Sequence, residues 1–214
     1  LKETKLVAIL RGIPVKQATD IATALYDGGV RVLEFTFDHD DPDCVAHNCQ
    51  RIRAVKKIFG DEMVVGCGTA LTVQEVEASV EAGGQIVISP NVDVSVIAKT
   101  KALGAISMPG ALTPTEIVMA YNAGADIVKL FPAGTLGVPY IKAVRGPLGY
   151  IPMSAVGGVR PETIADFLNV GVCGFGVGGE LVKKEFVRSG DMNALTSRAR
   201  KFVHAIEQWE ANRS

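Results

Sequence analysis

The sequence predicts an α/β fold, a single (β/α)8 (TIM) barrel of parallel strands that spans residues 1–214. Short runs rich in β-branched residues alternate eight times with longer segments of helical periodicity. No linker or shift in composition divides the chain, and a length of 214 residues suits one barrel. Alternation of this kind favours a parallel sheet covered by helices, and eight such units can close into a barrel.

The predicted strands are apolar and rich in β-branched residues, and several end in glycine or proline. In chain order they are KLVAIL, RVLEFTF, EMVVGCGT, QIVIS, AISMPG, DIVKLFP, IPMSAVGG and CGFGVGG. An open, doubly wound sheet is the alternative architecture. Against it, the stretches GCGTA and GVGGE lack the G-x-G-x-x-G spacing that binds a dinucleotide, so no such cofactor is expected.

Helix boundaries are marked by capping chemistry. In a capping box, a threonine and a glutamate three residues later satisfy the first free backbone N–H groups of a helix. Thr72–Glu75 and Thr113–Glu116 both match, and the second has proline at its first helical position. Four helices end in a glycine shortly before a strand begins, as a left-handed C-terminal cap requires. These glycines, which define an internal repeat, are Gly29, Gly83, Gly124 and Gly171.

Composition bounds the partners of the chain. The 22 basic and 23 acidic side chains nearly cancel and form no basic block, which favours small-molecule ligands over nucleic acid or an anionic membrane. The sequence has no apolar span of 18 residues and no features of a signal peptide at its start, which predicts a cytoplasmic protein. The cysteines lack the spacing of a metal site or a disulfide scaffold and are predicted to be reduced.

A lysine, Lys129, interrupts the apolar run IVKLFP, where a buried strand is expected. Counting five residues on from each capping glycine gives one position on each of four alternate strands, and alternate strands supply one layer of a barrel interior. Glu34 and Lys129 are therefore predicted to share a layer, with space beside them at Gly176. A purely structural ion pair is the alternative interpretation. The four positions are Glu34, Ile88, Lys129 and Gly176.

A buried amine next to a carboxylate suggests a particular chemistry. A desolvated lysine loses proton affinity, and its free amine attacks ketones. The resulting iminium accepts electrons from a neighbouring carbon–carbon bond, while a carboxylate moves protons. Lys129 and Glu34 thus indicate an aldolase that needs no metal. None of the three histidines shows metal-ligand spacing, and Asp38–Asp41 is interpreted as a solvated turn, so no metal is predicted.

Two pairs of glycines predict a phosphate site. Gly157 and Gly158 follow the seventh predicted strand, and Gly178 and Gly179 follow the eighth. Barrel enzymes commonly bind phosphate at these positions through backbone N–H groups, which glycine leaves open to an anion. Two tight turns are the alternative interpretation of the same residues.

The sequence resembles the class I 2-keto-3-deoxy-6-phosphogluconate (KDPG) and 4-hydroxy-2-oxoglutarate (KHG) aldolase family, which includes 2-keto-3-deoxy-6-phosphogalactonate aldolases. The resemblance covers nearly the whole chain through VAILRGI, GGVRVLEFTF, VGCGTALT, ISPN, MPGALTPTE, KLFPAG, AVGGV and GFGVGG. It implies that Lys129 forms the Schiff base and that Glu34 is the general base. It also implies a homotrimer and no cofactor. The implied reaction cleaves KDPG to pyruvate and glyceraldehyde 3-phosphate, or KHG to pyruvate and glyoxylate.

The resemblance also implies substrate contacts. Thr69 matches a threonine that contacts the pyruvyl carboxylate, and Arg11 matches an arginine that helps to hold the substrate. Pro90 and Phe131 match wall positions around the pyruvyl group. From the residues alone, Arg11 could instead brace its loop, Thr69 could cap a helix, and the other two could be packing residues.

Three positions depart from the resemblance. Asp38 stands where some members have arginine, which predicts that carboxylate binding depends on Arg11 and backbone groups. Gly179 stands where many members have serine, and the loss of this hydroxyl donor predicts weaker phosphate affinity. Val156 stands where the gluconate branch typically has threonine and so resembles the galactonate branch. A phosphosugar isomerase or epimerase that forms no imine and a barrel that binds a phosphorylated metabolite without turnover stay open as alternatives.

Overall fold

The computed structural model describes residues 4–213. Its strands are β1 (Leu6–Leu10), β2 (Val32–Thr36), β3 (Val64–Gly68), β4 (Ile86–Ile88), β5 (Ile106–Met108), β6 (Gly110–Ala111), β7 (Val128–Leu130), β8 (Met153–Val156) and β9 (Gly174–Val177). All neighbours pair in parallel, in the order β5-β4-β3-β2-β1-β9-β8-β7-β6. Because β5 and β6 are consecutive in the chain, the two ends of this order meet and the sheet closes into a barrel.

The fifth predicted strand is split into β5 and β6 at Pro109. Proline has no backbone N–H for the ladder, so the strand is interrupted there. The Pro109 carbonyl still accepts a hydrogen bond from the Lys129 N–H at 2.9 Å, which ties the break to β7. The nine segments thus correspond to the eight predicted strands, and the predicted (β/α)8 barrel is confirmed.

Helices follow the strands and cover the barrel. They are α1 (Ala18–Asp27), α2 (Cys44–Phe59), α3 (Val73–Glu81), α4 (Val94–Ala102), α5 (Pro114–Asn122), α6 (Ala133–Leu148), α7 (Ile164–Asn169), α8 (Lys184–Ser189) and α9 (Met192–Ala211). Both predicted capping boxes are present, at the starts of α3 and α5. The four predicted capping glycines have φ of 92°, 98°, 102° and 88° in chain order, so the left-handed caps are also confirmed.

Two apolar layers hold the barrel together. Side chains alternate along each strand, so Leu33 and Phe35 pack outward against the helices. Val32 belongs to a smaller cluster inside the barrel, with Ile127 packed against it. Glu34 and Lys129 follow these two residues by two positions, and therefore point into the barrel nearer to the carboxyl ends of the strands. The apolar interior thus forms the floor on which the polar side chains lie.

Two further predictions concern the rest of the chain. Cys44, Cys49, Cys67 and Cys173 are all free thiols, as expected. Among residues 4–213, no helix is both long enough and apolar enough to cross a membrane.

Candidate active site

A cavity of about 630 Å³ lies at the carboxyl ends of the barrel strands. This is the end of the fold at which barrel enzymes carry their active sites. All the site residues predicted from the sequence line it, so the structure brings them together, while their roles stay predictions. They are Lys129, Glu34, Arg11, Thr69, Pro90, Phe131, Val156, Gly157, Gly158, Gly178 and Gly179.

Lys129 is positioned by the alternation of β7. Its neighbours Val128 and Leu130 belong to the outer core, which directs the lysine into the barrel. Only 7% of the residue is exposed. Its Nζ lies 5.1 Å from the centre of the Phe131 ring, within the range of a cation–π contact. The amine therefore stands in the cavity with little water around it.

Glu34 is the most deeply buried charged residue of the cavity. Only 1% of it is exposed, and its Oε2 has no hydrogen-bond partner among residues 4–213. A Cβ at Gly68 would lie 2.2 Å from this oxygen, so any larger residue there would displace the carboxylate. Buried polar atoms are rarely left unpaired, so the unpaired carboxylate oxygen of a residue that lines the cavity calls for a functional explanation.

Burial dominates the electrostatics of the pair. It raises the pKa of Glu34 to about 7, against the opposing effects of the positive charges of Lys129 and Arg11. Burial also lowers the pKa of Lys129, against the opposing charge of Glu34 and with a smaller contribution from Arg11. Among the described residues, the ion pairs include none between Glu34 and Lys129. A close structural salt bridge therefore does not explain why both groups are inside the barrel.

Thr69 has an unusual backbone conformation beside the pair. Its φ is 58°, in the left-handed region that a β-branched residue seldom adopts. It does not cap the next helix, since Thr72 does, so the capping interpretation of Thr69 is wrong. Backbone strain of this kind is found most often where a side chain or N–H group must face a ligand.

The predicted phosphate glycines form two loops at the cavity wall. Gly157 and Gly158 have φ of 92° and 71°, and the carbonyl of Gly157 accepts a 2.8 Å hydrogen bond from the N–H of Gly134 in α6. The first loop therefore also makes a tight packing contact, as the alternative interpretation expects. A Cβ at Gly179 would meet no atom within 4 Å, so the second loop leaves open space in the cavity.

Several lining residues were not predicted as site residues. Thr36, His39, Glu180 and Lys184 also line the cavity. The available signal for His39 was its position on the loop after β2, five residues beyond Glu34, but no spacing to other residues marked it as part of the site.

The predicted absence of a metal rests on the sequence. Among residues 4–213, no group of three or more histidine, cysteine, aspartate or glutamate side chains is arranged to hold a metal ion. In the acidic turn, the Asp41 carboxylate accepts from the N–H of Asp43 and pairs with His47 at 2.7 Å. These contacts lower the pKa of Asp41, the pairing with His47 most of all.

Comparison with known proteins shows to which family the chain belongs. The sequence model described as "KDPG and KHG aldolase" matches residues 1–198. The chain belongs to the KDPG and KHG aldolase family. The resemblance seen in the motifs, and the aldolase function that it implies, are thereby confirmed. Membership also favours an aldolase over the isomerase and the non-catalytic alternatives.

Individual relatives of the family match over most of their length. The chain is 37% identical to the probable 2-dehydro-3-deoxy-6-phosphogalactonate aldolase of Rhizobium meliloti, over 85% of this chain and 83% of the relative. It is 33% identical to the KHG/KDPG aldolase of Escherichia coli K12, over 90% and 88%. A solved structure titled "Native KDPGal structure" is 32% identical, with a TM-score of 0.88 over 98% of this chain and 97% of that one.

Proposed function

We propose that the protein is a metal-independent class I aldolase that cleaves a 2-keto-3-deoxy sugar acid, with Lys129 as the Schiff-base amine and Glu34 as the general base. The observation that carries this proposal is the buried pair itself. A lysine with a lowered pKa and a carboxyl group with a raised pKa line the same cavity, so burial favours the free amine of Lys129 near a carboxyl group that can take up a proton.

Each step uses a group already in the cavity. The amine of Lys129 adds to C2 of the substrate, and loss of water gives an iminium. Glu34, directly or through a water, takes the proton of the C4 hydroxyl, and the C3–C4 bond breaks as its electrons enter the iminium. The aldehyde leaves and an enamine of pyruvate remains. Return of a proton to C3 from Glu34, followed by hydrolysis, frees pyruvate and the lysine.

The other site residues hold the two ends of the substrate. Thr69 contacts the carboxylate at one end, while Pro90 and Phe131 enclose the pyruvyl group. Arg11, at the carboxyl end of β1, lies between these residues and the glycine loops that receive the phosphate. A guanidinium suits either anion, because it offers paired donors in a fixed plane. Assembly as a homotrimer and a cytoplasmic location stay predictions.

The decisive experiment is borohydride trapping with pyruvate. Reduction of the imine fixes pyruvate to the reacting amine, and peptide mass spectrometry locates it. The expected result is one adduct, on Lys129 and not on Lys184, the other lysine that lines the cavity. Without any adduct on folded protein, the Schiff-base mechanism fails and an imine-free mechanism takes its place.

The galactonate epimer is the favoured substrate among the phosphorylated acids. Val156 lines the cavity where the gluconate branch typically has threonine, and its side chain fills the space beside Gly176. Relatives named as galactonate aldolases are 37% and 35% identical to this chain, against 33% for a KHG/KDPG aldolase. An apolar wall here offers no hydrogen bond to the C4 hydroxyl of the gluconate configuration.

Replacing Val156 with threonine is expected to shift preference toward the gluconate epimer. Threonine has nearly the same shape as valine but adds a hydroxyl, and one hydrogen bond at a buried site changes discrimination by about tenfold. The measurement is the ratio of kcat/KM for the two epimers in the wild type and in Val156→Thr. An unchanged ratio would show that C4 configuration is read elsewhere.

Replacing Gly179 with serine is expected to lower KM for the phosphorylated substrate by about fivefold. The cavity has room for the new side chain, and its hydroxyl adds one donor to the phosphate loop. Cleavage of KHG, which has no phosphate, serves as the internal control and should keep its KM. Equal changes in both KM values would contradict a phosphate contact at this loop.

A further inference from the structure

A histidine–carboxylate contact lies at the cavity wall, apart from the catalytic pair of Lys129 and Glu34. The Nε2 of His39 lies 2.7 Å from Oε1 of Glu75, and the glutamate side chain is only 6% exposed. The other oxygen of Glu75 accepts hydrogen bonds from the backbone N–H groups of Leu71 and Thr72 at 2.6 and 3.0 Å. Because the glutamate is fixed at the start of α3, it holds the imidazole in one orientation.

This contact leaves one nitrogen of the imidazole available. Nε2 is the donor in this contact when the carboxylate is ionised, because an ionised carboxylate only accepts. Among residues 4–213, Nδ1 of His39 has no hydrogen-bond partner. The residue lines the cavity, and 40% of its side chain is exposed. A ligand in the cavity can therefore reach a donor or acceptor whose orientation is already set.

The position of His39 in the barrel indicates which part of a ligand it meets. The glycine loops follow β8 and β9, whereas His39 follows β2 and is tied to the loop after β3, which also carries Thr69. A keto acid whose phosphate occupies the glycine loops must direct its carboxylate toward this opposite sector. Of the lining residues in the loops after β2, β3 and β4 that the structure describes, His39 is the one that can carry positive charge.

We propose that His39, oriented by Glu75, is a further substrate-binding residue that donates a hydrogen bond from Nδ1 to the C1 carboxylate of the keto acid. This inference rests on the proposed function, because it takes the imine at Lys129 as the anchor of the substrate. With Nε2 donating to Glu75, donation from Nδ1 uses the imidazolium form of the ring, which carries an N–H on both nitrogens. Asp38, which lines the same sector, repels the carboxylate, and a positive charge on His39 offsets this repulsion.

The test compares two ketones in borohydride trapping at Lys129. Pyruvate has the carboxylate, and acetone does not. In His39→Asn, the pyruvate concentration that gives half-maximal trapping is expected to rise about tenfold, the effect of losing one charge-assisted hydrogen bond. The half-maximal acetone concentration should stay within about twofold of the wild type, which also shows that the variant is folded and that Lys129 still reacts.

The chain provides a matched control in His47. Its Nδ1 lies 2.7 Å from Oδ2 of Asp41 and its side chain is also 40% exposed, but it does not line the cavity. His47→Asn should leave both half-maximal concentrations unchanged. The proposal is overturned if His39→Asn leaves pyruvate trapping unchanged, or if it weakens pyruvate and acetone trapping equally. Absence of adducts in the wild type would overturn the proposed function itself and this inference with it.

Discussion

Replacing Lys129 with alanine will abolish turnover, because no other amine can form the imine in its place. Lys184 also lines the cavity, but it lies on α8 rather than on a strand of the barrel. The imine provides the electron sink for C3–C4 cleavage, so its loss removes the covalent pathway rather than a part of the rate. Steady-state release of pyruvate measures the effect, and borohydride trapping should find no adduct on the variant.

Lys129→Met separates this chemical role from a structural one. Methionine fills most of the volume of the lysine stem but does not bury an amine, so the free energy of unfolding should equal or exceed that of the wild type. Lys129→Ala removes the stem as well and should be less stable, because it leaves a cavity. An active methionine variant, with pyruvate release near the wild-type rate, would refute Lys129 as the imine-forming residue.

The local chemistry of the sequence specifies most of the barrel. The caps at Thr72 and Thr113 and the left-handed glycines depend on neighbouring residues only, so they could be predicted, and the four glycines mark where four of the strands begin. The break between β5 and β6 was not predicted, because a strand end such as AISMPG does not reveal whether proline stops pairing or only interrupts it. That outcome depends on β7, whose Lys129 N–H binds the Pro109 carbonyl.

In the site, too, some features could be predicted from the sequence and others could not. Lys129 and Glu34 could be found by counting along the repeat, since strand alternation alone directs them inward. The contact of His39 with Glu75 could not, because it joins the loop after β2 to the start of α3, whose position depends on the packing of that helix against the barrel. The space that Gly68 leaves for the Glu34 carboxylate was hidden for a similar reason. The glycine is part of a recognisable motif, but its neighbour across the strands is visible only in three dimensions.

Replacing Glu34 with glutamine is expected to reduce kcat by about a hundredfold or more while pyruvate still forms a trapped adduct on Lys129. The amide has the shape of the carboxyl group but cannot accept the C4 hydroxyl proton. Glu180→Gln is a suitable control, because Glu180 also lines the cavity but pairs with Arg198 at 3.5 Å. That variant should keep its kcat within about threefold of the wild type. Similar losses in both variants would point to a general effect of cavity charge rather than to a base at position 34.

The pH dependence of kcat/KM in Glu34→Gln tests whether the general base is the buried carboxyl group of Glu34. With a pKa of about 7 for Glu34, kcat/KM of the wild type should fall about tenfold per unit as the pH drops below 7, because the protonated carboxyl group is no base. The variant should lack this acidic decline in kcat/KM, and a decline that persists would belong to Lys129 instead.

The raised pKa of Glu34 also makes the stability of the fold depend on pH. A carboxyl pKa raised from 4.5 stabilises the fold fully below pH 4.5, and this contribution is lost as the pH rises through about 7. At pH 8 the glutamine variant, which buries no charge at this position, should therefore unfold at a higher temperature than the wild type.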